Sequence, residues 1–124
     1  MIYLAKGGNM NIKELIYSIK KRPGMFVETE KIEYIYYLIS GYCGTCKHFS
    51  ENEMEKEFRF LFGQWLIVWI RNNVDKDYIP STGFWYNDLN EICIDGNVTK
   101  LFYDLCDVFF DDYDNKKRYF EKLN

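Results

Sequence analysis

Apolar residues recur at helical spacing from the first part of the chain onward. Asn11 and Glu14 have the spacing of a capping box, in which each side chain bonds to the backbone of the other residue. An apolar stripe then begins at Ile12 and repeats at every third or fourth position as far as Ile19. These features predict a first helix over residues 11–22.

The same periodicity and further cap residues predict the remaining elements. We expect a second helix over residues 30–42, with an extension to Cys46 left open, and a third from the Ser50 and Glu53 capping box to about Asn73. Two more helices are expected over 83–93 and 97–113, and a short last one from Asn115. Residues 91–97 are also compatible with a short strand and hairpin, because Asp95-Gly96 favours such a turn. The predicted fold class is all-α, with five to six helices.

Glycine and proline mark the breaks between these helices. Arg22-Pro23-Gly24-Met25 has Pro and Gly at the two central positions that a type II turn prefers. Pro80 and Gly83 mark a loop over residues 75–83. The first two helices should therefore be joined by a tight turn.

The chain length of 124 residues fits one domain, which we place over residues 10–124. Residues 1–9 are expected to be an N-terminal extension. Codons for Lys6-Gly7-Gly8 would read as a ribosome-binding site at about the right distance from Met10. Met10 is therefore predicted to be the native start.

Charge and hydropathy exclude several classes of function. The net charge of −3 argues against nucleic-acid binding, which needs a basic surface. No run approaches the roughly 20 apolar residues that span a bilayer, and residues 1–10 lack the apolar core of a signal peptide. The prediction is a cytoplasmic protein with no membrane partner, whose cysteines remain thiols.

The sequence contains no recognisable catalytic arrangement. A nucleophilic triad would have to use the single histidine, His48, and no glycine-rich phosphate loop is present. Cys43, Cys46 and His48 supply three closely spaced ligands, one fewer than a structural zinc site needs. We expect no enzymatic activity and no cofactor, and retain a small zinc- or thiol-dependent regulator as an alternative function.

The predicted helix over 97–113 carries a line of aspartates opposite an apolar stripe formed by Leu101, Leu105 and Val108. Aromatic residues make up 19% of the chain, so some should reach the surface, where they often anchor partner proteins. Tyr103 and Phe110 are expected to point outward among the acids, to which Asp112 adds. The predicted partner-binding residues are Tyr103, Asp104, Asp107, Phe110, Asp111 and Asp114.

The segment Lys21-Arg22-Pro23-Gly24-Met25-Phe26 resembles the Lys-Arg-Pro-Gly-Met-Tyr turn that links two helices in a group of small bacterial proteins. Many of these look like immunity proteins of polymorphic or contact-dependent toxin systems, although Phe26 replaces their usual Tyr. The resemblance implies an all-helical cytoplasmic inhibitor of one cognate protein toxin and leaves the identity of that toxin open. The acidic and aromatic residues of the 97–113 helix favour a basic toxin domain, such as a nuclease, as the target. A homo-oligomeric adaptor is a further alternative, and the sequence leaves monomer and homodimer open.

Overall fold

A computed structural model of the protein describes residues 11–45 and 53–115. The described residues form α-helices and one 3-10 turn and contain no strand, which confirms the all-α prediction. The helices are α1 (Ile12–Lys21), α2 (Ile32–Thr45), α3 (Glu53–Asn73), α4 (Trp85–Ile92) and α5 (Val98–Asp114). The predicted Ser50 cap and the last helix lie outside the described residues. Contacts divide the chain into two units, 1–59 and 60–124.

Helix α1 begins as the sequence predicts. The Glu14 amide donates to Asn11 Oδ1 at 2.8 Å, and the Asn11 amide donates to Glu14 Oε1 at 3.0 Å. This reciprocal pair satisfies two of the amides that the first helical turn leaves without backbone partners. The predicted apolar stripe is buried along its whole length. The capping box and the stripe therefore define the same helix.

The turn after α1 differs from the predicted type II turn. Residues Pro23–Met25 form a 3-10 turn, in which the Phe26 amide donates to the Pro23 carbonyl at 2.9 Å. A type II turn requires positive φ at Gly24, but among the described glycines only Gly96 has it. The Gly24 backbone therefore lacks the conformation of a type II turn. Helix α2 begins at Ile32 rather than at residue 30.

The unit formed by residues 60–124 is built around an aromatic core. The ring of Phe62 on α3 contacts four other rings, with centroid separations between 5.2 and 5.7 Å, from Trp65, Trp85, Phe102 and Phe109. Three of these contacts are edge-to-face, the arrangement that the ring quadrupole favours. Rings from α3, α4 and α5 therefore share one centre, which fixes which side of α5 is left exposed.

The segment that joins α4 to α5 contains no strand. Helix α4 begins at Trp85 and ends at Ile92, and residues 94–96 bend with φ +81° at Gly96. The helical interpretation of this region is therefore confirmed, with a start two residues later than predicted. Within the described residues, no helix is both long and apolar enough to span a membrane.

Candidate protein-binding surface

Helix α5 presents one continuous acidic side to solvent. Asn97 caps the helix, its side chain accepting the Lys100 amide at 3.2 Å. The four aspartates of the predicted line are all exposed: Asp104, Asp107, Asp111 and Asp114. They lie three or four residues apart, so they form one stripe along the helix. We call these four residues the acidic stripe.

The stripe is placed unfavourably for the helix that carries it. Like charges three or four residues apart repel one another, which costs about 0.2–0.5 kcal/mol per pair in isolated helices. The carboxyl end of a helix is also its negative end, and the last turn of α5 contains Asp111, Asp112 and Asp114 but no basic residue. A cation placed against this end would offset both the repulsion between the aspartates and their unfavourable interaction with the helix dipole.

Asp104 of the stripe has a cation beside it already. Lys100 Nζ lies 2.8 Å from Asp104 Oδ2, one helical turn away, and this hydrogen bond raises the pKa of Lys100. The two side chains expose 67% and 55% of their surface, so water competes strongly with the pair. Another cation could therefore readily replace Lys100 at the Asp104 carboxylate.

Tyr103 and Phe110 do not point outward, and the prediction that they do is wrong. Each exposes only 6% of its surface, and their rings lie 5.6 Å from Phe102 and 5.3 Å from Phe109 respectively. Both residues lie at the border between the acidic and apolar sides of α5. A large ring at such a position reaches the core when the neighbouring positions are also aromatic. Neither residue belongs to the exposed surface.

Val108 shows the opposite error. The apolar stripe predicts that Val108 faces inward, but it exposes 40% of its surface. Its neighbours one turn away on either side are Asp104 and Asp111, so an exposed aliphatic side chain lies at the border of the acidic stripe. Among the described residues, the exposed tyrosines lie instead on α1 and α2, at Tyr17, Tyr34 and Tyr37. The apolar component of the α5 surface is therefore aliphatic.

Asp112 has a structural contact rather than a place in the stripe. Its Oδ2 accepts the indole N–H of the fully buried Trp65 at 2.8 Å. A hydrogen bond to an ionised acceptor is among the stronger contacts in a folded protein. Asp112 therefore links α5 to α3 by a hydrogen bond, and its carboxylate is partly engaged by Trp65.

An open groove of about 230 Å³ lies beside the stripe, between the end of α4 and the start of α5. Its lining combines apolar side chains, among them Ile94 and Leu101, with the charged groups of Asp95, Lys100 and Asp104. Asp95 accepts the Asn97 amide at 2.9 Å, a bond that lowers the pKa of Asp95. The sequence marked Asp95-Gly96 as a turn but gave no signal for a groove.

A second acidic site, which sequence reasoning missed, is buried in α4. Asp88 exposes 3% of its surface and accepts a hydrogen bond from the hydroxyl of Tyr78 in the preceding loop. Burial raises the pKa of Asp88, and the nearby Glu91 carboxylate raises it further, while the tyrosine bond acts in the opposite direction. No neighbouring sequence signal distinguishes this aspartate from an exposed one. Because Asp88 is buried, we assign it a structural role rather than a role in binding.

The described residues give little support to the alternative function of a zinc- or thiol-dependent regulator. Cys43 is buried near the end of α2, while Cys46 and His48 lie outside the described residues. No group of three or more histidine, cysteine, aspartate or glutamate side chains that could hold a metal ion occurs in the described part of the chain. The zinc alternative stays a prediction for metal analysis to test.

Comparisons with known proteins give no further indication of function: no protein-family model matches the chain, and neither do curated proteins or solved structures.

Proposed function

We propose that the protein works in the cytoplasm by binding a basic partner protein through the acidic stripe of α5. The observation that carries the proposal is the run of exposed aspartates that ends at the negative pole of the helix, with no basic residue in the last turn. Charges in this position destabilise the free helix, and a cationic partner removes that cost. Such charges also accelerate association with a partner of opposite sign.

The proposed partner is a cognate bacterial toxin domain, which makes this chain an immunity protein. The support for this step is the resemblance of the Lys21–Phe26 turn to that of small immunity-like proteins. A nuclease suits the acidic stripe, because an active site that attracts phosphate carries positive charge. The exposed Val108 at the border of the stripe supplies apolar contact once water is excluded. In this proposal the protein inhibits by covering the toxin and catalyses no reaction.

Growth rescue tests the proposal. The gene beside the one for this chain is expected to encode a secreted protein with a variable C-terminal domain. Expression of that domain should arrest a bacterial host, and co-expression of this chain should restore growth. The double substitution Asp107→Lys and Asp111→Lys should abolish the rescue. Arrest that the wild-type chain does not relieve, with both proteins present, would reject the proposed function.

A matched control separates the stripe from bulk charge. Glu28 and Asp77 are exposed acids in non-helical segments, and reversing both to Lys changes the net charge by as much as reversing Asp107 and Asp111. This control should preserve the rescue. If both double variants lose rescue equally, net charge alone governs the effect and the acidic stripe is not the binding surface.

A further inference from the structure

The groove beside α5 has the dimensions of a site for one side chain. Its volume of about 230 Å³ lies below the range of roughly 300–1,000 Å³ that is usual for small-molecule and cofactor pockets. Ile92, Ile94 and Leu101 provide the apolar part of its lining. Ile94 is fully exposed, so an incoming aliphatic chain would remove its surface from water. The size and lining suit a long, partly aliphatic group.

The charges that line the groove select a cation. Two carboxylates, from Asp95 and Asp104, face it together with one ammonium group, from Lys100, which leaves an excess of one negative charge. Asp95 is held in place by hydrogen bonds from the Asn97 amide at 2.9 Å and from Cys93 Sγ at 3.5 Å. One acceptor is thus fixed before any partner arrives, while Asp104 is held only by the exposed Lys100 contact described above.

We infer that this groove receives one lysine or arginine side chain of the basic partner, whose stem packs on Ile92, Ile94 and Leu101 and whose charged head replaces Lys100 on Asp104. The inference rests on the proposed function and names the part of the surface where the partner is anchored. Lys100 is a long side chain already extended towards solvent, so its displacement costs little. An arginine would gain further, because its guanidinium can form two parallel bonds with one carboxylate.

The test uses n-butylguanidinium chloride as a probe for an arginine side chain, at constant ionic strength. Titration followed by amide chemical shifts should give saturable changes at residues that line the groove. Guanidinium chloride, which has the same head without the stem, should bind at least about threefold more weakly, since each buried methylene contributes to affinity. The Lys100→Ala variant should bind the probe about two- to fivefold more tightly, because it removes a competing surface cation.

A matched pair of variants locates the site. Asp104→Asn should weaken probe binding about two- to fivefold. Asp111→Asn removes the same charge from the same helix but outside the groove, and it should leave the affinity unchanged. The amide spectrum of each variant also verifies that it is folded.

Three results would each overturn the inference: shifts that rise without saturation along the whole stripe, equal losses in Asp104→Asn and Asp111→Asn, or equal affinity for the probe with and without its stem. These results leave the growth-rescue experiment unaffected, so the groove can fail while the proposed function stands. Conversely, saturable probe binding in a chain that gives no rescue would retain the groove and reject the immunity function.

Discussion

The hydrogen bond between Trp65 and Asp112 gives the sharpest stability prediction. A bond of this type to a charged acceptor contributes about 1.5–3 kcal/mol. Because Asp112 is partly exposed, we expect the lower end, about 1.5 kcal/mol, to be lost in Asp112→Ala. Alanine is a better helix former than aspartate by up to about 0.7 kcal/mol, which partly hides the loss.

Asp107→Ala is the control that removes this complication. Asp107 is exposed in the interior of the same helix, so its replacement brings the same gain in helix propensity without the loss of a contact to Trp65. Asp107→Ala also relieves the repulsion of Asp107 by Asp104 and Asp111, by about 0.2–0.5 kcal/mol for each pair. The free energies of unfolding of the two variants should therefore differ by about 1.5–2.5 kcal/mol, of which about 1.5 kcal/mol comes from the bond to Trp65. Asp112→Asn keeps an acceptor oxygen without its charge and should lose about half as much.

Urea unfolding, followed by circular dichroism of the helices, measures these differences. A double-mutant cycle with Trp65→Phe, which removes the N–H donor, isolates the pair from the rest of the site. In the Trp65→Phe background, the difference between Asp112→Ala and Asp107→Ala should fall by about 1.5 kcal/mol, because the donor of the bond is absent. If Asp112→Ala and Asp107→Ala differ by less than about 0.5 kcal/mol in the wild-type background, the reasoning is refuted, because that is the range of ordinary surface substitutions.

Three further predictions concern one buried carboxylate and two glycines. Burial raises the pKa of Asp88 above its ordinary value of 3.8, so the folded state favours the uncharged carboxyl group. The stability that this preference provides is lost as the pH rises from about 4 through the raised pKa. Asp88→Asn should therefore be more stable than the wild type at pH 7, by a margin that shrinks towards pH 4 in pH-dependent urea unfolding; a margin independent of pH would contradict the prediction. Gly63→Ala should stabilise α3 by about 0.5–1 kcal/mol, since the added Cβ would lie 3.6 Å from Trp85 Cδ1, an ordinary contact, and helical alanine is favoured over glycine. Gly96→Ala should destabilise by about 1 kcal/mol because its φ of +81° strains a side chain; thermal unfolding in which both variants shift the same way would exclude this explanation.

The helices were predictable because the signals for them are local. The Asn11 and Glu14 capping box and the Asn97 cap each act within one helical turn, and both are present. The prediction of a type II turn at Pro23-Gly24 was wrong because the same residue pair also accommodates a 3-10 turn. Neighbouring residues decide which of these two turns forms. Local sequence thus defined where most helices begin, but not the geometry of each connection.

The candidate surface was predictable only where charge decides exposure. The aspartates of the acidic stripe are exposed because burying an ionised carboxylate is costly. Tyr103, Phe110 and Val108 lie at the borders of the stripe, where exposure depends on which side of α5 faces the aromatic core. That choice depends on Phe62, about 40 residues earlier in the chain. Asp88 and Asp112 likewise look like surface acids until their tertiary partners, Tyr78 and Trp65, are known.

The most direct test of the proposed mode of action is the association rate with the toxin domain encoded by the neighbouring gene. Stopped-flow measurements over a series of salt concentrations should give a rate constant that falls steeply as ionic strength rises. Reversal of Asp107 and Asp111 to Lys should slow association at least about tenfold at low salt, with the two rates converging at high salt. A wild-type rate that is insensitive to salt and equal to that of the reversed variant would contradict binding through the acidic stripe.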